Sequence, residues 1–179
     1  MIDISHYDSP IGTLVLAEKD GNLAGVWLEG QKYFMGALRD EPQKQAGAPV
    51  LQWTRQWLDA YFAGERPPIS DLPLVPIGSE FRWAVWRRLC EIPYGETVTY
   101  GEIARETAAR RGTERIPAQA VGGAVAHNPI SIIIPCHRVV GANGSLTGYA
   151  GGLSKKIWLL THEGVDMGRF FVPGRGTAL

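Results

Sequence analysis

The chain reads as α+β: a small N-terminal antiparallel sheet-plus-helix domain, followed by a helical domain of the winged helix-turn-helix kind. Three observations carry this reading. Residues 2–28 alternate apolar and polar positions between turn signals, the pattern of half-buried strands. Residues 66–76 hold four prolines in eleven residues, which excludes helix and marks a semi-extended linker. Beyond them the apolar spacing turns helical, with capping signals at the starts of the expected helices. The expected domains are therefore 1–78 and 79–165, with 166–179 as a C-terminal tail.

The elements follow in order. Ile2, Ile4 and His6, then Leu14 and Leu16, then Leu23, Val26 and Leu28 are separated by Ser9-Pro10-Ile11-Gly12 and Asp20-Gly21-Asn22, which spells a small antiparallel meander. A helix is expected from about residue 50 to 63, with Val50, Trp53, Trp57, Leu58 and Tyr61 on one face and Gly64 as its stop. Ser79 can cap a helix carrying Phe81, Val85 and Leu89 that ends before Pro93. Thr99 and Glu102 have capping-box spacing and should start a short helix through Ile103 and Ala104. Pro117 opens the next helix, through Ala126. Its small residues Ala118, Ala120, Gly122 and Gly123 fit tight helix packing and a nucleic-acid backbone equally well. Ile132-Ile133-Ile134 reads as a buried strand, residues 147–152 as a Gly-rich hairpin, and residues 154–163 as a last helix. The tail shows no period, and Gly168, Gly174 and Gly176 suggest that it is loosely held.

Hydrophobic content of 45% is enough for a core. The acidic N-terminus is not a signal peptide, and no apolar run approaches the roughly 18 residues of a membrane helix. Cys90 and Cys136 have neither metal-site nor disulfide-framework spacing, so a reducing, cytoplasmic setting is expected. Net charge is zero, but residues 1–79 carry −4 and residues 80–165 carry +3. An excess this small is compatible with a nucleic-acid partner for the second half and equally with ordinary surface variation.

The chemistry concentrates at Pro135-Cys136-His137-Arg138. A cysteine is by default a small apolar core residue. Here Pro, His and Arg flank it, and cationic neighbours lower a thiol pKa from about 8.5. Cys90, in a helical pattern, is expected to be a core or half-buried thiol without chemistry.

Taken together, Thr99-Tyr100-Gly101-Glu102-Ile103-Ala104, Ala120-Val121-Gly122-Gly123-Ala124, Asn128-Pro129, Ile134-Pro135-Cys136-His137-Arg138-Val139, Gly148-Tyr149-Ala150-Gly151-Gly152 and His162-Glu163-Gly164 occur in an order that resembles the 6-O-alkylguanine-DNA alkyltransferases. The resemblance is strong over about residues 79–164, and the preceding meander and helix agree with the family's N-terminal domain. It implies direct-reversal repair of alkylated guanine in double-stranded DNA, with the second domain binding DNA at the minor groove around a flipped base. The protein would act once, as a monomer, without metal or organic cofactor. Cys136 would be the nucleophile and permanent alkyl acceptor. His137 would draw its proton through a water, and Glu163 would orient and charge-stabilise His137. Asn128 would hold the turn before the active-site strand, and Tyr100 would donate to the leaving guanine. Gln119, Ala120, Gly122 and Gly123 on the recognition helix, with Arg138, Tyr149, Ala150 and Gly151, would form the DNA and base-binding set. Arg138 would also tie the active-site loop down.

The family carries Arg immediately before Ala-Val-Gly-Gly, where it enters the duplex and fills the space of the extruded base; this chain has Gln119. Arg110, Arg111 or Arg115 are candidates to compensate. Two other function classes share the residue types. A binder of alkylated DNA without transfer has no use for Cys136. A Cys–His hydrolase, with Asn128 or Glu163 as orienter, would need an oxyanion hole and would turn over repeatedly.

Overall fold

The computed structural model describes residues 1–174 of the 179-residue chain. The chain divides into two compact units: Met1–Gly78 with Pro129–Ile133, and Ser79–Asn128 with the chain from Ile134 onward. Each is described in turn.

In the first unit, β1 (Ile2–Ser9), β2 (Gly12–Lys19) and β3 (Asn22–Leu28) form the meander, and the short β4 (Gln43–Lys44) adds parallel to β1, for an order β3-β2-β1-β4. The antiparallel register sets Ser5 opposite Leu16 and Tyr7 opposite Leu14, so these side chains share a face. Helix α1 (Pro49–Phe62) covers that face: the Tyr7 hydroxyl donates to Asp59 at 2.7 Å, and Arg55 donates to the Ser5 hydroxyl. On the other face Ile2, Ala17 and Trp27 pack with Met35 and Leu38. Gly25 permits this, because any Cβ there would collide with the Trp27 indole, 1.8 Å away. Trp53, placed with the core face of the helix by its spacing, is instead 50% exposed; the buried stripe runs through Val50, Leu51, Thr54, Trp57, Leu58 and Tyr61, and position 53 falls at its edge. Residues 66–76 are more than a linker: Leu23 N–H donates to the Pro73 carbonyl and Val75 N–H to the Leu23 carbonyl, extending the edge beside β3.

The apolar run before Cys136 is not a strand. Ile130 makes a single parallel bridge to Val26, after which the chain turns, with Ile132 at φ +71°. A β-branched residue rarely adopts that conformation. Ile130, Ile132, Ile133 and Ile134 are nonetheless almost wholly buried, so the hydrophobic run reports burial rather than extended geometry.

In the second unit, Ser79 caps α2 (Glu80–Cys90) and the Thr99–Glu102 capping box starts α3. Helix α3 (Tyr100–Arg111) is longer than expected, because Ala108, Ala109, Arg110 and Arg111 are all good helix formers and the chain stops only at Gly112, φ +66°. Helix α4 (Ala118–Ala126) packs against α2 and α3, and the Trp86 indole N–H donates to the Ala124 carbonyl at 2.8 Å. β5 (Val98–Thr99) pairs in parallel with β6 (Val139–Val140). No hairpin forms over 147–152; the wing position is an irregular loop leading into α5 (Leu153–His162).

The tail is not loose over its described part. Phe171 bridges Ser145, and Met167 and Phe170 pack beside Val140, Leu146 and Leu160. Gly144 (φ +81°) admits this crossing, since a Cβ there would lie 2.4 Å from the Arg169 carbonyl oxygen. Gly176 lies outside the described residues. Among those residues no helix is long and apolar enough to cross a membrane.

Candidate active site

Asn128 follows α4 directly. Its side-chain amide donates to the Ile134 carbonyl at 2.8 Å, closing the turn that leads to the cysteine. Cys136, His137 and Arg138 then form a single 3-10 turn, all three buried. The tight turn sends neighbouring side chains in different directions, so Cys136 and Arg138 do not share surroundings.

Arg138 is committed inside the protein. Its Nε and Nη2 donate to the two oxygens of Glu163 at 2.8 and 2.9 Å, and its Nη1 donates to the Ile92 carbonyl at 2.7 Å. Such a bidentate pair is strong and directional. Every guanidinium nitrogen thus has a protein acceptor, and the residue is 7% exposed. This corrects the placement of Arg138 among the DNA- and base-binding residues; its geometry is that of a tie for the loop. Glu163, at the C-terminal cap of α5, also accepts from the Gly95 N–H at 3.2 Å and lies 2.7 Å from His137 Nε2. Burial pushes its carboxyl up, but the hydrogen bonds of His137 and Arg138 and the guanidinium charge outweigh this and hold it far below the usual carboxylate range.

His137 is wholly buried. Burial dominates and pushes its pKa down, against the pull of Glu163, so the imidazole is neutral at physiological pH. With Nε2–H donating to Glu163, Nδ1 carries the lone pair. Nδ1 has no hydrogen-bond partner among the described residues. A neutral imidazole oriented by a carboxylate, with its other nitrogen bare, is a general base ready to take a proton.

The Cys136 thiol is pushed up by burial, while the Asn128 side chain and the Lys156 charge pull it back. This reverses the expectation that flanking cations would make an acidic thiol. Arg138 spends its charge on Glu163, and His137 is uncharged, so the site at rest holds a protonated thiol beside a neutral base.

Cys136 lies in a narrow pocket. Helix α3 contributes Tyr100, α4 contributes Gly122, Val125 and Ala126, and the loop after β6 contributes Gly148, Tyr149 and Ala150. Burial pushes the Tyr100 phenol up to about 12, with Thr147 opposing and Cys136 adding to the shift; it therefore remains a hydrogen-bond donor. Gly151 and Gly123 are half-buried and are not among the pocket's lining residues. Gln119 and Ala120 are exposed on the first turns of α4. Lys156 escaped the sequence reading. It stands on the same face of α5 as Glu163, two turns earlier, and is wholly buried. A lysine spaced with Leu159, Leu160 and Glu163 on the inward face was the available signal. Among the described residues no group of three or more His, Cys, Asp or Glu side chains is placed to hold a metal ion.

A buried thiol, a neutral imidazole and a carboxylate locked by arginine are the parts that a cysteine nucleophile with a general base requires. The chain's sequence matches two family models. That of the 6-O-methylguanine DNA methyltransferase DNA-binding domain covers residues 80–165, and that of the same family's ribonuclease-like domain covers residues 4–76. A methylated-DNA--protein-cysteine methyltransferase of Mycolicibacterium paratuberculosis is 46% identical over 165 residues, 91% of this chain and 93% of its own length. The protein of that name from Haemophilus influenzae is 41% identical over 159 residues, 89% of this chain and 84% of its own length. The crystal structure of Mycobacterium tuberculosis O6-methylguanine methyltransferase superposes with a TM-score of 0.75 at 40% identity, covering 98% of this chain and 97% of that one. The Mycobacterium tuberculosis protein in complex with DNA gives 0.74 at 40% identity, covering 92% of each chain. The chain belongs to the 6-O-methylguanine DNA methyltransferase family.

Proposed function

We propose that this protein is a direct-reversal DNA repair enzyme, a methylated-DNA–protein-cysteine methyltransferase that moves the alkyl group of 6-O-alkylguanine in DNA onto its own Cys136. The observation that carries the reading is the Cys136 pocket backed by the His137–Glu163–Arg138 chain, on the fold of relatives so named. The alkylated base leaves the duplex stack to reach this pocket, at a cost of a few kcal/mol. The thiol proton passes through a water to His137 Nδ1, and Glu163 stabilises the imidazolium. Sulfur then attacks the alkyl carbon: the S–C bond forms as the C–O6 bond breaks, and the electron pair stays with the guanine. Tyr100, kept protonated, donates towards a ring nitrogen of that leaving group. The proton taken by His137 returns through solvent. The product thioether has no second thiol beside it to remove the group, so one molecule repairs one lesion.

The remaining assignments belong to the same proposal. Asn128 holds the turn before Cys136. Gln119, Ala120, Gly122 and Gly123 of α4, with Tyr149, Ala150 and Gly151, face DNA and base, entered from the minor groove. The domain assignment of 1–78 and 79–165 with a 166–179 tail belongs to the same proposal, with residues 129–133 grouping with the first unit, as do a monomeric state and a cytoplasmic setting, the last supported by two unpaired cysteines. Intact-mass measurement after incubation with methylated duplex DNA tests the reading. A gain of one methyl per protein, with no further turnover, supports it. No mass change on saturating DNA binding would leave an alkylated-DNA binder; repeated turnover without mass change would leave a hydrolase.

A further inference from the structure

Thr147 carries a buried hydroxyl that the proposed chemistry does not use. It stands directly before Gly148, Tyr149 and Ala150, the loop residues that wall the Cys136 pocket. Its Oγ1 is sealed from solvent and has no partner at hydrogen-bond distance among the described residues. An orphaned buried hydroxyl costs stability, and valine, of the same shape, would avoid that cost. The oxygen therefore calls for an explanation beyond packing. Two contacts fix where Thr147 points. Its carbonyl accepts from Lys156 Nζ at 2.7 Å. Its methyl rests on Gly141, where an added Cβ would lie 3.3 Å from Thr147 Cγ2. In a β-branched residue Oγ1 and Cγ2 share one Cβ, so fixing the methyl fixes the hydroxyl. The group beside it is the Tyr100 phenol. Lys156 Nζ, bonded to the Thr147 carbonyl, is 6.0 Å from the Tyr100 ring centroid, and the Thr147 hydroxyl opposes the rise that burial imposes on the phenol. A hydroxyl lowers a phenol's pKa by donating to the ionised oxygen. At rest the two oxygens are further apart than a formed hydrogen bond.

We propose that Thr147 is a positioning residue for Tyr100: its hydroxyl donates to the phenol oxygen as the phenol donates to the leaving guanine, so that two hydrogen bonds in series end on the base. The inference rests on the function proposed above. No proton changes owner at Thr147. As the C–O6 bond breaks, charge gathers on the guanine and draws the Tyr100 O–H towards it. The phenol oxygen then becomes a better acceptor, and the bond from Thr147 tightens with the bond to the base. The ionisable groups around Tyr100 are Cys136 and Lys156. Neither supplies this donor. The sulfur is spent on the alkyl carbon, and Lys156 Nζ already donates to the carbonyls of Val139, Thr147 and Gly148.

The test uses the full chain as wild type, Thr147→Val, Thr147→Ser, Tyr100→Phe and the double variant Tyr100→Phe with Thr147→Val. Single-turnover methyl transfer is measured at saturating methylated duplex DNA, with DNA affinity alongside. Thr147→Val should slow transfer by about three- to tenfold, the worth of one hydrogen bond, with affinity little changed. Thr147→Ser keeps the hydroxyl and should recover to within about twofold of wild type. In Tyr100→Phe the series has no middle, so adding Thr147→Val should cost less than about twofold more. A second readout is alkylation of Cys136 by iodoacetamide, followed by peptide mass. It needs neither DNA nor a donor to the leaving group, and should proceed in Thr147→Val as in wild type. A Thr147→Val protein that transfers at the wild-type rate, or that loses as much in the Tyr100→Phe background as alone, overturns the proposal. So does a matching fall in iodoacetamide alkylation, which would make Thr147 packing for the pocket and nothing more. If Thr147→Val does not fold by circular dichroism, Thr147→Ala takes its place in the same comparisons. If wild type takes no methyl from DNA, the proposed function is what fails, and the role of Thr147 falls with it.

Discussion

Cys90 and Cys136 form an internal comparison. Burial raises both thiols, Cys90 to about 11, so resting acidity does not distinguish them. What distinguishes them is a base: Cys136 adjoins a neutral imidazole whose Nδ1 is bare, whereas Cys90 lies on α2 beside Glu91, whose charge opposes ionisation. Peptide mapping after exposure to methylated DNA should therefore place the methyl on Cys136 alone, and Cys136→Ala should abolish repair; methyl on Cys90 would refute the assignment. Removing the base in His137→Ala should slow transfer by roughly 10²–10⁴-fold with DNA affinity little changed. Glu163→Gln should slow transfer too, and the double variant should lose less than the product of the two effects, because linked groups are not additive. Glu163→Gln also strands Arg138, at a cost of about 3 kcal/mol or more. The Glu163 carboxyl is held below its unfolded pKa, so its contribution is fully present above about pH 4.3 and fades as pH falls towards the folded value. Urea unfolding should show the wild-type advantage over Glu163→Gln at about pH 7 and a narrower gap at about pH 3; a gap that widens in acid would contradict the ion-pair account. The residues of this constellation were legible because Cys136 and His137 are adjacent and Glu163 closes a recognisable helix. The state of the thiol was not. Adjacency in sequence does not say where a guanidinium points, and the turn sends Arg138 to Glu163 rather than to the sulfur.

Helix starts were easier to read than strands, for a physical reason. The capping box at Thr99 is a local hydrogen-bonded device, with Glu102 accepting from the Thr99 N–H at 2.7 Å and Thr99 accepting in return at 3.1 Å, so a few residues suffice to specify it. The run before Cys136 depends on what the rest of the chain lays beside it, and a single bridge at Ile130 left the following residues free to turn. Helix α4 shows how the structure divides a question that composition left open. Val121, Gly122, Ala124 and Val125 are buried, while Ala118, Gln119 and Ala120 are exposed. A Cβ on Gly123 would meet nothing within 4 Å. Gly122 is buried in the lining of the Cys136 pocket, whereas Gly123 is left unexplained within the protein. Gly123→Ala should raise stability by about 1 kcal/mol through helix propensity. If the open face takes a DNA backbone, the same variant should bind methylated duplex more weakly. Thermal unfolding and a binding titration on one sample separate the two effects, and a stabilised variant with undiminished affinity would remove Gly123 from the DNA-facing set.

At the scale of the whole chain, a net charge of zero makes the distribution of arginines decisive for a DNA-binding reading. Of the three that stood as substitutes for the missing helix arginine, two are already engaged: Arg110 pairs with Glu91 through two 2.7 Å bonds, and Arg111 reaches Glu80 at 3.5 Å. Arg115 is exposed and has no acidic partner among the described residues; it sits in the loop that leads through Pro117 into α4, four residues before Gln119. DNA affinity falls with salt by a log–log slope of about −0.9 per neutralised phosphate. An arginine inserted in the minor groove gains further from the negative potential there, and Gln119 supplies neither contribution. Arg115→Ala should therefore weaken binding and flatten the salt slope by up to roughly one unit of that scale, whereas Arg110→Ala and Arg111→Ala should do less, because each side chain must leave an acidic partner before it can neutralise a phosphate. Gln119→Arg should tighten binding and steepen the slope by a similar amount. Titrations of methylated duplex at several salt concentrations with these four variants decide the matter. If Arg110→Ala proves the most damaging, its pair with Glu91 opens on DNA, and the compensating charge comes from α3; if Gln119→Arg weakens binding, the exposed start of α4 does not face the duplex.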